Sequence, residues 1–157
     1  IKTINDGASG SVMSILNTSS AVGFGTVVKS VPGFAKLTSI ILGIKGPILL
    51  SEAVAVNVLA GATGSASGGM GIALEALGEK YLEIASAANI SPEALHRIAS
   101  LSSGGLDTLP QNGAVLTLLA VTGMSHKDSY FDIFMTCCVI PVAAVVSSII
   151  LATLGIV

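Results

Sequence analysis

Long uncharged stretches alternate with short polar ones along this chain. Residues 7–28 carry no charge yet are rich in Ser, Thr, Asn and Gly. Residues 37–78 place Lys45 and Glu52 inside a largely apolar run that also holds Glu75, residues 98–125 hold Asp107 alone, and residues 133–157 hold no charge. About 20 helical residues cross a hydrocarbon core of roughly 30 Å, so each stretch is of spanning length. The last reads as a plain spanning helix of about 37 Å. Pro141 should kink it, because proline cannot donate to the carbonyl of Cys137.

Two stretches are interrupted. In 61–71, GATGSASGGMG, Met70 is the one bulky apolar side chain, while the flanks 53–60 and 72–77 are apolar and helix-competent. Each glycine costs about 1 kcal/mol of helix propensity against alanine. In 104–113, GGLDTLPQNG, glycines, Asp107, Pro110 and Asn112 stand between helical flanks 95–103 and 114–124, and Pro110 pushes Leu109 out of the helical region. Both segments are predicted to be unwound at membrane depth. Unwound backbone cannot face lipid, since each unpaired N–H or C=O costs several kcal/mol there. It must line a cavity or meet a ligand, as the broken helices of secondary transporters do when they offer free N–H groups to anions. The alternative is a pair of re-entrant packing kinks with no ligand.

The intervening stretches read as surface loops: Lys29 to Lys36, Glu79 to Arg97 and His126 to Asp128. Within the second, Ser91 is expected to cap a helix that starts at Pro92. Counting Lys and Arg places the first and third loops in the cytoplasm, and the C-terminus on the far side. Gly7–Ser11 and Gly61–Ser65 both read G-A-[ST]-G-S, either two related ligand loops or a chance match.

Composition sharpens this picture. Of 157 residues 52% are hydrophobic and 10% charged, against about 25% charged in a soluble domain, and mean hydropathy is +0.87. The apolar excess must face lipid. Eighteen glycines and no tryptophan point to close approach of helices or ligands to backbone. A net charge of −2 without a basic stripe excludes a nucleic-acid partner. Adjacent Cys137 and Cys138 make neither a disulfide framework nor a zinc site. No cofactor or metal is expected. The chain opens on Ile1 without a leader pattern and reads as a fragment.

The candidate chemistry lies in the breaks. Asp107, a carboxylate at membrane depth, is a proton-coupling candidate or a helix cap. Glu52 is a second proton-coupling candidate, flanking the membrane edge or facing the cavity. Thr63, Gly64, Ser65, Ser67, Thr108, Asn112 and Gly113 supply hydroxyl, amide and backbone groups for a hydroxylated or carboxylated solute, with Gln111 beside them. Asn17 and Thr18 belong to a polar cluster that would form a third wall. Ser100, Ser102, Ser147 and Ser148 are expected to bond back to the preceding turn. His96 and His126 are expected on the solvated surface. Gly7-Ala8-Ser9-Gly10 weakly fits an intramembrane serine protease, but no histidine base is expected at its depth, so an enzyme is not expected.

Ser51–Met70, Leu95–Ala99, Ser103–Val115 and Gly123–Tyr130 together resemble the C-terminal part of the gluconate permease family. The resemblance covers nearly the whole chain. It implies an all-α, polytopic membrane protein with broken and re-entrant helices, forming the second half of an inverted-repeat transporter over residues 1–157. It further implies proton-coupled symport of gluconate or a related organic acid across the bacterial inner membrane. The missing N-terminal half and further copies would be its protein partners. Gln111 stands where the family commonly has a histidine, which shifts the proton role to Asp107, Glu52 or residues outside the chain. A ligand-free packing or assembly module is the competing reading.

Overall fold

A computed structural model describes residues 2–44 and 46–156, without the side chains of residues 2, 6, 13, 14, 17, 18, 21, 22, 24, 25, 28, 29, 38 and 42. Every regular element among the described residues is a helix: α1 (Lys2–Ser30), α2 (Pro32–Leu42), α3 (Ile48–Thr63), α4 (Ala66–Ala87), α5 (Pro92–Ser103), α6 (Gly113–Thr122), α7 (His126–Phe134), a π-turn at Met135–Val139, and α8 (Ile140–Thr153). The fold is all-α, as the sequence predicts.

α3 is the hub. Its apolar residues surround the axis, a pattern that belongs to a buried helix, and it packs against α1, α2, α4, α5 and α8. Leu49, Ala53, Val56 and Leu59 of α3 meet Ile72 and Leu77 of α4, Leu95 and Ile98 of α5, and Val145 of α8 in one core. The α3–α4 contact is backbone on backbone, since a Cβ added at Gly69 would overlap Ala60. The glycine stretch expected to unwind is here used instead for close helix packing.

Residues 61–71 are accordingly helical except at Gly64 and Ser65. Gly64, at φ 60°, adopts the left-handed conformation that ends α3, and the Ser65 hydroxyl accepts from Gly68 N–H to start α4. The small residues after this cap stay helical, with Gly69 seated on the Ala60 backbone of α3. The second interruption is as long as expected, with no helix from Gly104 to Asn112.

The expected loops shrink. α1 and α2 are separated by Val31 alone, and α4 continues to Ala87, leaving a turn at 88–91. Ser91 and Pro92 do start α5, with Ala94 N–H donating to Ser91 Oγ at 3.2 Å. His126–Asp128 is helix rather than loop, because the Asp128 carboxylate accepts from Ser125 N–H at 2.9 Å and closes the helix start. Helix therefore runs from His126 to Thr153, 28 residues, long and apolar enough to cross a membrane, while α3 and α6 are shorter apolar helices. In place of a simple proline kink the π-turn changes register, with Ile140 N–H bonding the Met135 carbonyl just before Pro141.

Gly7–Ser11 lies in regular helix, its Ser11 hydroxyl bonded to the Gly7 carbonyl, whereas Gly61–Ser65 ends one. The two matching stretches are not paired loops.

Candidate functional site

The two interruptions meet, and two adjacent amide side chains join them. Asn112 is buried at 5% exposure. Its Nδ2 donates to the Gly64 and Asp107 carbonyls, both at 2.8 Å. Its Oδ1 accepts from Ala114 N–H at 2.6 Å and Val115 N–H at 3.0 Å, capping α6. Gln111 Nε2 donates to the Gly61 carbonyl at 3.0 Å. Carbonyls freed at the end of α3 and amides freed at the start of α6 are thus satisfied across the crossing, as buried backbone requires.

Thr108 does comparable work for the last helix. Pro141 leaves the Cys137 carbonyl without its intrahelical donor, and Thr108 Oγ1 donates to that oxygen at 3.2 Å. The Tyr130 hydroxyl reaches the Thr108 carbonyl at 3.4 Å, and His126 Nε2 lies 3.1 Å from the Pro110 carbonyl. His126 is therefore half-buried against the 104–112 segment and is not the solvated loop residue expected.

Asp107 sits where the segments cross, half-buried, with its carboxylate near the backbone N–H groups of Thr108 and Ala66. Ala66 is the first residue of α4. A negative charge at a helix N-terminus is favourable by about 0.3–1 kcal/mol when exposed and up to about 2 kcal/mol when partly buried. The half-helix start expected to greet a solute carboxylate is thus held by a carboxylate of the chain itself.

The remaining expected site residues divide in two. Thr63, expected to have no preceding turn to bond, donates back to the Leu59 carbonyl at 2.8 Å, because α3 persists to its position. Gly64 shapes the turn, and Gly113 opens α6. Ser65 caps α4 but stays partly exposed, and the Ser67 hydroxyl is exposed 3.5 Å from it. Asn17 and Thr18 have side chains outside the described residues. Glu52 is not at the crossing. It lies 12 residues before Gly64 on the hub helix, 2% exposed, with Oε2 unpartnered among the described residues. Lys45 lies outside the described residues, and α3 begins at Ile48.

The backbone at the crossing leaves little room. A Cβ at Gly61 would come within 3.1 Å of the Leu106 side chain, and one at Gly105 would overlap the Asn57 side chain. Asn57 and Ser102 were not singled out as site residues, although both end in buried polar atoms without a partner among the described residues. Ser147 bonds back to Ala143 as expected, whereas Ser102 does not bond back. The usable sequence signal was Asn57, an amide in an apolar run five residues beyond Glu52.

No protein-family model matches the chain, and no solved structure does. Over 131 residues, 83% of its length, it is 53% identical to the "Uncharacterized transporter YxjC" of Bacillus subtilis (strain 168). The likeness is to a transporter. The chain spans 28% of that relative, so the relative's activity as a whole goes beyond these residues. The relative's name gives no solute, and it supports transport without specifying gluconate. With an apolar 28-residue helix and few charges, it supports a place in the membrane.

Proposed function

We propose that the chain is part of the second half of an inner-membrane symporter that moves a hydroxylated organic anion, such as gluconate, together with protons. The observation that carries this reading is the half-buried carboxylate of Asp107 near the first amide of α4, where the two interruptions cross. An anion and a deprotonated Asp107 compete for the same helix start. Protonating Asp107 removes its charge, releases Ala66 N–H and opens that position to the solute carboxylate. Proton and anion binding then favour each other, and linkage requires the preference to be mutual. Ser65 and Ser67, partly exposed beside the same helix start, are placed to bond solute hydroxyls. Asn112, Gln111 and Thr108 hold the crossing in shape rather than touching the solute.

Solute binding to the intact transporter, measured across a pH series, tests this. Wild-type affinity should weaken as pH rises, by up to about tenfold per unit once Asp107 is deprotonated. Asp107→Asn, permanently neutral, should bind the anion with little pH dependence and fail to accumulate it against a gradient. Wild-type accumulation by Asp107→Asn would overturn the assignment. A ligand-free packing module predicts no shift in melting temperature with any organic acid, because stabilisation follows the ratio of ligand concentration to Kd.

A further inference from the structure

Buried polar atoms in a native protein are almost always bonded. In this chain three are not among the described residues: Glu52 Oε2, Asn57 Oδ1 and Ser102 Oγ. Glu52 is 2% exposed and Ser102 is fully buried. All three belong to α3 and α5, which pack against each other. Glu52 lines a cavity of about 200 Å³ between α3, α4 and α5, together with Tyr81, Leu95, His96 and Ala99. One turn beyond Ala99, on the buried face of α5 that includes Leu95, Ile98 and Ala99, comes Ser102. Next on α3, Asn57 abuts Gly105, two residues before Asp107.

A cavity of this size has room for water, and Glu52, Tyr81 and His96 are the polar points in an otherwise apolar lining that would hold it. Tyr81 from α4 and His96 from α5 are the titratable side chains that line it with Glu52 among the described residues. The Tyr81 hydroxyl is 3.4 Å from the Ser51 hydroxyl. His96 is exposed, so it stands at the mouth of the cavity.

We propose that Glu52, Ser102 and Asn57 form a hydrated proton path leading from the His96-lined cavity to Asp107 at the crossing. The path rests on the proton-coupled reading above and names the route by which Asp107 is loaded and emptied. A proton enters at the cavity mouth, rests on the Glu52 carboxylate and passes through waters bridging Ser102 and Asn57. No bond other than O–H or N–H forms or breaks.

Two measurements on the intact transporter in lipid vesicles test the path. Net uptake driven by a pH gradient should fall about tenfold or more in Glu52→Gln, in line with the loss of a proton-transfer group, and severalfold in Ser102→Ala. Solute exchange with no net proton movement should stay at the wild-type rate in both. Equal loss of uptake and exchange, or unchanged uptake, overturns the proposal. Infrared difference spectra across a pH series, taken without solute, should show a carboxylic-acid carbonyl band that Glu52→Gln removes and Ser102→Ala shifts. An unaltered band in Glu52→Gln also overturns the path. Because the infrared measurement needs no solute, it fails or holds separately from the proposed anion. His96→Ala, at an exposed position, covers the case in which a buried variant does not fold: it should slow net uptake and spare exchange, and an unchanged uptake rate contradicts the path's entrance.

Discussion

At the residue scale, the side chains around the crossing act mainly by finishing hydrogen bonds that broken helices leave open. Thr108 shows the logic most simply. Its hydroxyl serves the Cys137 carbonyl that Pro141 cannot serve. Thr108→Val should therefore cost about 1–3 kcal/mol, the usual penalty for a buried acceptor left unpaired. In a Pro141→Ala background, where a backbone donor returns, the same substitution should cost markedly less. A double-mutant cycle of thermal unfolding in detergent measures that coupling, and additive losses would show that the hydroxyl works elsewhere. Asn112, with four bonds, should be more sensitive: Asn112→Ala is expected to lower the melting temperature as well as uptake. Composition made Asn112 look like a solute ligand, because sequence shows an amide without showing what surrounds it.

At the element scale, glycine has opposite meanings at different positions. Gly69 lets α4 touch the backbone of α3 at Ala60, so Gly69→Val should abolish stable expression by forcing the hub helix pair apart. Gly78, on the same helix, has nothing within 4 Å of an added Cβ. Gly78→Ala should be neutral or stabilising by up to about 1 kcal/mol, the gain in helix propensity. Unfolding of the two variants side by side checks the contrast. From sequence alone the 61–71 stretch reads as unwound because summed propensity is poor. Helix nevertheless persists on both sides of Gly64 and Ser65, where a left-handed cap fixes the turn, and contact of Gly69 with α3 anchors the start of α4. In 104–112 Pro110 forbids the regular ladder, and the expected interruption stands.

For the molecule as a whole, the distribution of apolar surface indicates which faces meet lipid or further protein. Val142, Val146, Ile150 and Leu151 of α8 are exposed in this chain, as are Leu116, Leu118 and Val121 of α6, and burial of such side chains is worth about 1.5–3 kcal/mol each. In the intact protein in membranes, a cysteine placed at Val146 or Ile150 should resist a membrane-impermeant maleimide. One at Asn89, in the turn between α4 and α5, should react quickly. Cys137 and Cys138 would first be changed to Ser. Equal labelling at all three positions would contradict a bilayer around α8.

The sequence by itself determined the helical class, the low-charge membrane character, the longer interruption, the cap at Ser91 and the prominence of Asp107 and Glu52. Those follow from local terms: hydrophobic runs, proline and glycine, and the cost of charge without water. Tertiary structure alone decided that the two interruptions meet, that Asp107 sits on the start of α4, and that Glu52 faces a different cavity with His96. Those depend on which helix face turns toward which neighbour, and a hydrogen bond such as Asn112 to Gly64, spanning 48 residues, leaves no local trace in the order of the amino acids.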